Sequence, residues 1–230
     1  MTLFLLLWIS CKTIDPVLIS PLASDIAPDR IGTRTWDTMH MAKLDNVRGK
    51  KTGRLLQYDP KTDTTSILAS GFAFANGVAV DKDETFVMIA ETFGFSTFKY
   101  HLQGDKVGNV QVMAQHFTGY PDGADCSWKT GLCYTPMPSS VLPLMELIAK
   151  LPNSINMALR NIIMVLPRSM APKIVPNGGV VEIDPRNGQT RLLQDPRGED
   201  IGMLTGVTLW DEKLYLGSLH NDYIGVYDLQ

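Results

Sequence analysis

Short apolar runs bounded by polar or glycine-containing turns recur along this chain. Gly77-Val78-Ala79-Val80, Phe86-Val87-Met88-Ile89-Ala90 and Lys213-Leu214-Tyr215-Leu216-Gly217 are rich in residues that suit a pleated, half-buried surface. Asp81-Lys82-Asp83-Glu84 and Asp211-Glu212 read as polar turns at matching places in two such units. None of these segments has helical periodicity. The strand endings repeat as well. Leu55-Leu56-Gln57-Tyr58-Asp59-Pro60 returns as Val180-Val181-Glu182-Ile183-Asp184-Pro185, as Ile224-Gly225-Val226-Tyr227-Asp228, and more loosely as Thr97-Phe98-Lys99-Tyr100-His101. The aligned positions Tyr58, Tyr100, Ile183 and Tyr227 lie 42, 83 and 44 residues apart. A period in the low forties with four short strands is the size of a β-propeller blade. By this count the chain holds about three blades and part of a fourth.

The doubled middle interval contains an insertion, at about 138–173. Pro143 fits a first helical turn and Pro152 ends that helix. Asn153 or Ser154 can cap a second helix, which Pro167 terminates. Ile155, Leu159, Ile162, Ile163 and Leu166 follow amphipathic spacing, widened by Met157, Met164 and Val165. Three uses are open: a helical hairpin packed on the propeller, a lid over its central channel, or a shallow contact with a membrane surface. At the other end, the apolar run Leu3–Ile9 is too short to cross a bilayer. It reads as a minimal signal-like segment, a buried strand, or a mispredicted start, so residues 1–22 are left unassigned.

Composition adds exclusions. A net charge of −3 without a basic stripe gives no reason to expect nucleic acid. Cys126 and Cys133 flank a turn at Lys129-Thr130 and would sit opposite one another in a hairpin, either as a disulfide or as two small core residues. His116 with these cysteines lacks zinc spacing. Ser218, His220 and Asp222 alternate as if on a strand, where neighbours of that kind lie about 6.5 Å apart, too far for a triad.

Five segments together carry a resemblance: Gly53 to Pro60, Phe74 to Val80, Ala90-Glu91-Thr92, Gly119-Tyr120-Pro121-Asp122 and Leu214 to Gly217. In this order and spacing the chain resembles the strictosidine-synthase-like family from about residue 23 to its C-terminus. That resemblance implies a six-bladed propeller with its site at the channel mouth, here incomplete and N-terminally truncated, and in relatives a secretory or membrane-associated location. An incomplete ring has open sheet edges, hence a route to self-association.

The same resemblance implies a catalytic glutamate ten residues before Tyr215, where this chain has Thr205. Threonine offers no accessible pKa for that acid–base work, so amine–aldehyde condensation is not expected. The remaining pattern is similar to the calcium-dependent lactonases and arylesterases, namely the regucalcin-type gluconolactonases and the paraoxonases. There, an Asn of an Asn-Gly pair and an Asp after Pro reach the metal, which places Asn76 and Asp122 as Ca²⁺ ligands for hydrolysis of a small-molecule substrate. Read locally, both are equally turn sequences. A first-blade acidic ligand has no counterpart. Thr205 and Glu91 fall at the substrate pocket, Glu91 either facing the channel or capping a turn. The competing expectation is a non-catalytic propeller scaffold or a truncated relic.

Overall fold

A computed structural model of the chain describes residues 17–20, 51, 53–59, 61–141, 147–148, 151–152, 155–156, 158–159, 162, 176–195 and 199–229. The described residues form four antiparallel sheets in chain order. The first contains β1 (Val17–Ser20), β2 (Gly53–Asp59) and β3 (Thr64–Phe72), and the second β4 (Ala75–Val80), β5 (Phe86–Glu91), β6 (Ser96–His101) and β7 (Val110–Gln115). The third contains β8 (Asp125–Cys126), β9 (Cys133–Ser139), β10 (Pro176–Ile183) and β11 (Thr190–Asp195), and the fourth β12 (Leu204–Trp210), β13 (Lys213–Ser218) and β14 (Gly225–Asp228). Each is an up-and-down meander, and the series is an arc of a β-propeller.

The repeat seen in the sequence maps onto equivalent strands. Tyr58, Tyr100 and Ile183 lie on β2, β6 and β10, each one strand in from an edge of its sheet, and Tyr227 lies on β14, the last described strand of the fourth. The Asp-Pro turns after two of them are built alike. Asp59 Oδ1 accepts the Lys61 N–H at 2.8 Å, and Asp184 Oδ1 accepts the Arg186 N–H at 2.9 Å. Asp81 closes the β4–β5 turn by accepting N–H groups of Asp83, Thr85 and Phe86. β1, inside the N-terminal segment that the sequence left unassigned, pairs with β2. The Leu3–Ile9 run lies outside the described residues.

Strand pleating explains how flat sheets become stacked blades. On β5 every residue is buried, but alternate side chains serve different cores. Val87 and Ile89 pack with Leu55, Phe72 and Val78 between the first and second sheets. Phe86 and Met88 pack with Cys126, Met137, Val181 and Ile183 between the second and third. Tyr134, Val180, Leu204, Leu214 and Leu216 fill the gap between the third and fourth. Directed bonds reinforce this packing: Lys99 Nζ donates to the Pro185 carbonyl at 2.7 Å, and Asp125 Oδ2 accepts the Leu209 N–H at 2.7 Å.

Cys126 and Cys133 are joined as a disulfide rather than packed as separate thiols. The cause is register. They are the directly opposed pair of the β8–β9 hairpin, with Cα atoms 4.0 Å apart. Ser127 Oγ organises the turn between them by accepting the Lys129 and Thr130 N–H groups. Among the described positions of the insertion, Leu147–Ile148, Ile155–Asn156, Ala158–Leu159 and Ile162 are helical, whereas Leu151 and Pro152 are not. Its first residues instead continue β9 to Ser139, which pairs with Pro176. The remaining residues of the expected helices lie outside the described residues.

Ile89 is fully buried between two blades, whereas Ile67 is 56% exposed. Ile89→Ala is therefore expected to cost about 2–5 kcal/mol and Ile67→Ala less than about 1 kcal/mol. Urea denaturation of the two variants measures the contrast.

Candidate functional site

The innermost strands of successive blades approach unusually closely at one end of the arc. The Gly77 N–H donates to the Asp122 carbonyl at 2.6 Å, and the Gly123 N–H donates to the Thr205 carbonyl at 3.0 Å. Glycine is required at both positions. A Cβ on Gly77 would collide with the backbone of Asp122 and Gly123, and one on Gly123 would lie 2.6 Å from the Thr205 oxygen. Asn76-Gly77 is thus no hairpin turn. It lies inside β4, where the pairing with β5 shifts register between Ala75 and Val78.

This bulge brings the Asn76 amide beside Asp122, close enough to lower the pKa of its carboxyl. The amide also donates to Thr92 Oγ1 at 3.2 Å, and that hydroxyl donates to the Pro121 carbonyl at 2.7 Å. The Asp122 N–H is held by the Pro136 carbonyl at 3.0 Å. Asn76 and Asp122 therefore come together across two blades, from fixed backbone. Thr92 was missed as a member of this site. Its motif, Ala90-Glu91-Thr92, gives no sign that the hydroxyl bridges to the next blade.

Burial dominates the electrostatics. It pushes the Asp122 carboxyl up to about 7, offset in part by the Asn76 amide beside it. A half-buried carboxylate beside an amide suits a hard cation. The pair fits one side of such a site and supplies two of the six to eight oxygens that Ca²⁺ takes. Among the described residues no group of three or more His, Cys, Asp or Glu could hold a metal ion.

The other candidates are placed differently. Thr205, on β12, reaches this region through its backbone carbonyl. Glu91 is buried, and its carboxylate accepts the Ala73 N–H at 2.6 Å and the Ser96 hydroxyl at 2.8 Å, so it caps the β5–β6 turn. Ser218 ends β13, and its hydroxyl organises the following turn by accepting the His220 and Asn221 N–H groups. Ser218, His220 and Asp222 accordingly do not share a strand. His116 is exposed, and its supposed cysteine partners are bonded to each other.

Because folding raises the Asp122 pKa, the folded chain retains a proton that the unfolded chain releases. Its contribution to stability is present below about pH 4 and is lost as pH rises toward about 7. Asp122→Asn removes that loss. The wild type is expected to lose stability relative to this variant across pH 4–7, with the difference levelling off above. Parallel urea titrations at several pH values measure it.

The chain is similar to several known proteins. The family model described as strictosidine synthase matches residues 34–105. The strictosidine synthase-like 10 protein of Arabidopsis thaliana is 31% identical over 189 residues, covering 78% of this chain and 48% of that protein. The adipocyte plasma membrane-associated protein of Gallus gallus is 26% identical over 189 residues, covering 80% of this chain and 44% of that protein. The chain thus spans about half the length of the curated relatives it matches. A gluconolactonase structure from Xanthomonas campestris superposes with a TM-score of 0.47 at 14% identity, over 73% of this chain and 42% of that one. By its family match and these relatives, the chain is similar to the strictosidine-synthase-like family over most of its length.

Proposed function

We propose that the chain derives from the calcium-dependent lactonase and arylesterase lineage, with Asn76 and Asp122 holding one side of the cation. The observation that carries this reading is the meeting, across two blades, of an amide and a half-buried carboxyl whose pKa is raised. A bound Ca²⁺ would supply polarisation of a lactone or ester carbonyl. The chain's own contribution is preorganisation. Thr92 fixes the Asn76 amide, the Pro136 carbonyl fixes the Asp122 backbone, and burial makes the Asp122 charge unfavourable unless a cation balances it. Thr205 supplies no carboxylate at the position where the resemblance expects one, so this reading excludes amine–aldehyde condensation.

The Cys126–Cys133 disulfide supports a secretory or endomembrane setting, since such bonds persist in oxidising compartments. Among the described residues no helix is long and apolar enough to cross a membrane. A second reading, a non-catalytic scaffold, is favoured by β14. This strand borders the fourth sheet with Val226 56% and Tyr227 46% exposed, beside Ile224 at 69%. In that reading the strand edge takes part in self-association and the 138–173 insertion contacts a membrane surface.

Calcium titration with thermal melting tests the first reading. Millimolar Ca²⁺ is expected to raise the melting temperature of the wild type by several degrees, and the Asn76→Ala, Asp122→Ala double variant is expected not to respond. A folded wild type indifferent to calcium would leave the scaffold.

A further inference from the structure

A second carboxylate stands one step behind the carboxyl–amide pair. Glu91 is 2% exposed, and its two oxygens serve two different segments. Oε1 accepts the Ala73 N–H at 2.6 Å, from the crossing between β3 and β4. Oε2 accepts the Ser96 hydroxyl at 2.8 Å, from the start of β6. Taking a carboxylate out of water is costly unless its oxygens are hydrogen-bonded, and here both are. Closing the β5–β6 turn needs only the bond to Ser96. The other bond reaches 18 residues back along the chain, to the segment that carries Asn76.

That segment is held in an unfavourable shape. Phe74 has φ 62°, a left-handed backbone that a bulky residue keeps only where its surroundings enforce it. The enforcement comes from residues 91–93. The Glu91 carboxylate takes the Ala73 N–H, while the Phe93 N–H donates to the Ala73 carbonyl and the Thr92 N–H to the Phe74 carbonyl, each at 3.1 Å. Asn76 follows two residues after Phe74, and its amide donates to Thr92 Oγ1. The backbone leading to Asn76 and the hydroxyl that fixes its amide are thus anchored to one stretch. Gly94 shows how closely the carboxylate is seated. A Cβ on this exposed glycine would overlap the Glu91 side chain, whose carboxylate and Cγ are the nearest atoms it would meet.

We infer that Glu91 is a positioning residue for the candidate cation site. It fixes the β3–β4 crossing through Ala73 and thereby sets where the Asn76 amide stands beside Asp122; the word cation here rests on the hydrolase reading above. The role belongs to hydrogen-bond geometry and not to charge. A glutamine in the same place can accept the Ala73 N–H with its oxygen and donate to Ser96 Oγ with its nitrogen, because a hydroxyl accepts as well as donates. A leucine of similar size can do neither.

The test follows the Asn76 side-chain amide by ¹H–¹⁵N NMR on the whole chain and measures Ca²⁺ affinity of the same variants by calorimetric titration. Glu91→Leu is expected to shift the Asn76 amide resonances and to weaken Ca²⁺ binding at least tenfold. Gly94→Ala leaves Glu91 in the sequence but displaces its carboxylate, so it should reproduce both effects; it also keeps the test decisive if Glu91→Leu fails to fold. Added to Glu91→Ala, which removes the overlap, Gly94→Ala should have no further effect. Glu91→Gln should recover the wild-type amide resonances and a Ca²⁺ affinity within threefold of wild type. Unchanged amide resonances in folded Gly94→Ala, or a Glu91→Gln chain as impaired as Glu91→Leu, overturns the inference. Amide resonances that follow the expected pattern in a chain that binds no Ca²⁺ would instead overturn the hydrolase reading and leave the positioning role standing.

Discussion

Backbone contact between inner strands is the constraint on which the site depends. Gly77 donates to Asp122 across one blade boundary, and Gly123 donates to Thr205 across the next. At these separations a side chain on either glycine would force the strands apart. The approach has a direct chemical consequence. Asn76 precedes one glycine and Asp122 precedes the other, so zipping the inner strands together also presses an amide against a carboxylate. Interblade cores supply the bulk of the driving force through residues such as Ile89 and Met88, but apolar packing has no direction of its own. The glycine contacts, with Thr92 as a cross-link, turn that packing into fixed polar geometry.

Much of the fold was legible because a propeller writes its period into the chain. Tyr58, Tyr100, Ile183 and Tyr227 could be aligned from their strand endings, and all four occupy the same strand of their blades. The polar turn at Asp81 was equally visible, since its side chain bonds within five residues. What could not be read locally was set by distant partners. A bulge and a hairpin turn share the composition Asn-Gly, and only the arrival of Asp122 from the next blade distinguishes them. Ser218, His220 and Asp222 read as alternating along one strand, but the Ser218 hydroxyl turns back to close a loop. Glu91 became a turn cap because the Ala73 N–H lies within its reach.

Several features converge on one end of the molecule. The β5–β6 turn, the start of β4, the segment leading to Asp122 and the β13–β14 connection all lie there. Ser139 and Pro176, which bracket the insertion, pair at this end too, and Tyr120 donates its N–H to Ser139. The helical insertion is therefore rooted beside the carboxyl–amide pair. At the outer rim, the exposed β14 edge belongs to a blade with three described strands. The catalytic and scaffold readings thus draw on different parts of the chain, the inner seam and the outer rim.

The central claim is that folding brings Asp122 beside Asn76, half-buried, in a position suited to a cation. The most direct measurement is a ¹³C NMR titration of the Asp122 side-chain carboxyl, with and without calcium. The account predicts a midpoint near pH 7 in the free chain, moving well down when calcium is present. A midpoint in the ordinary carboxylate range, unmoved by calcium, would contradict it.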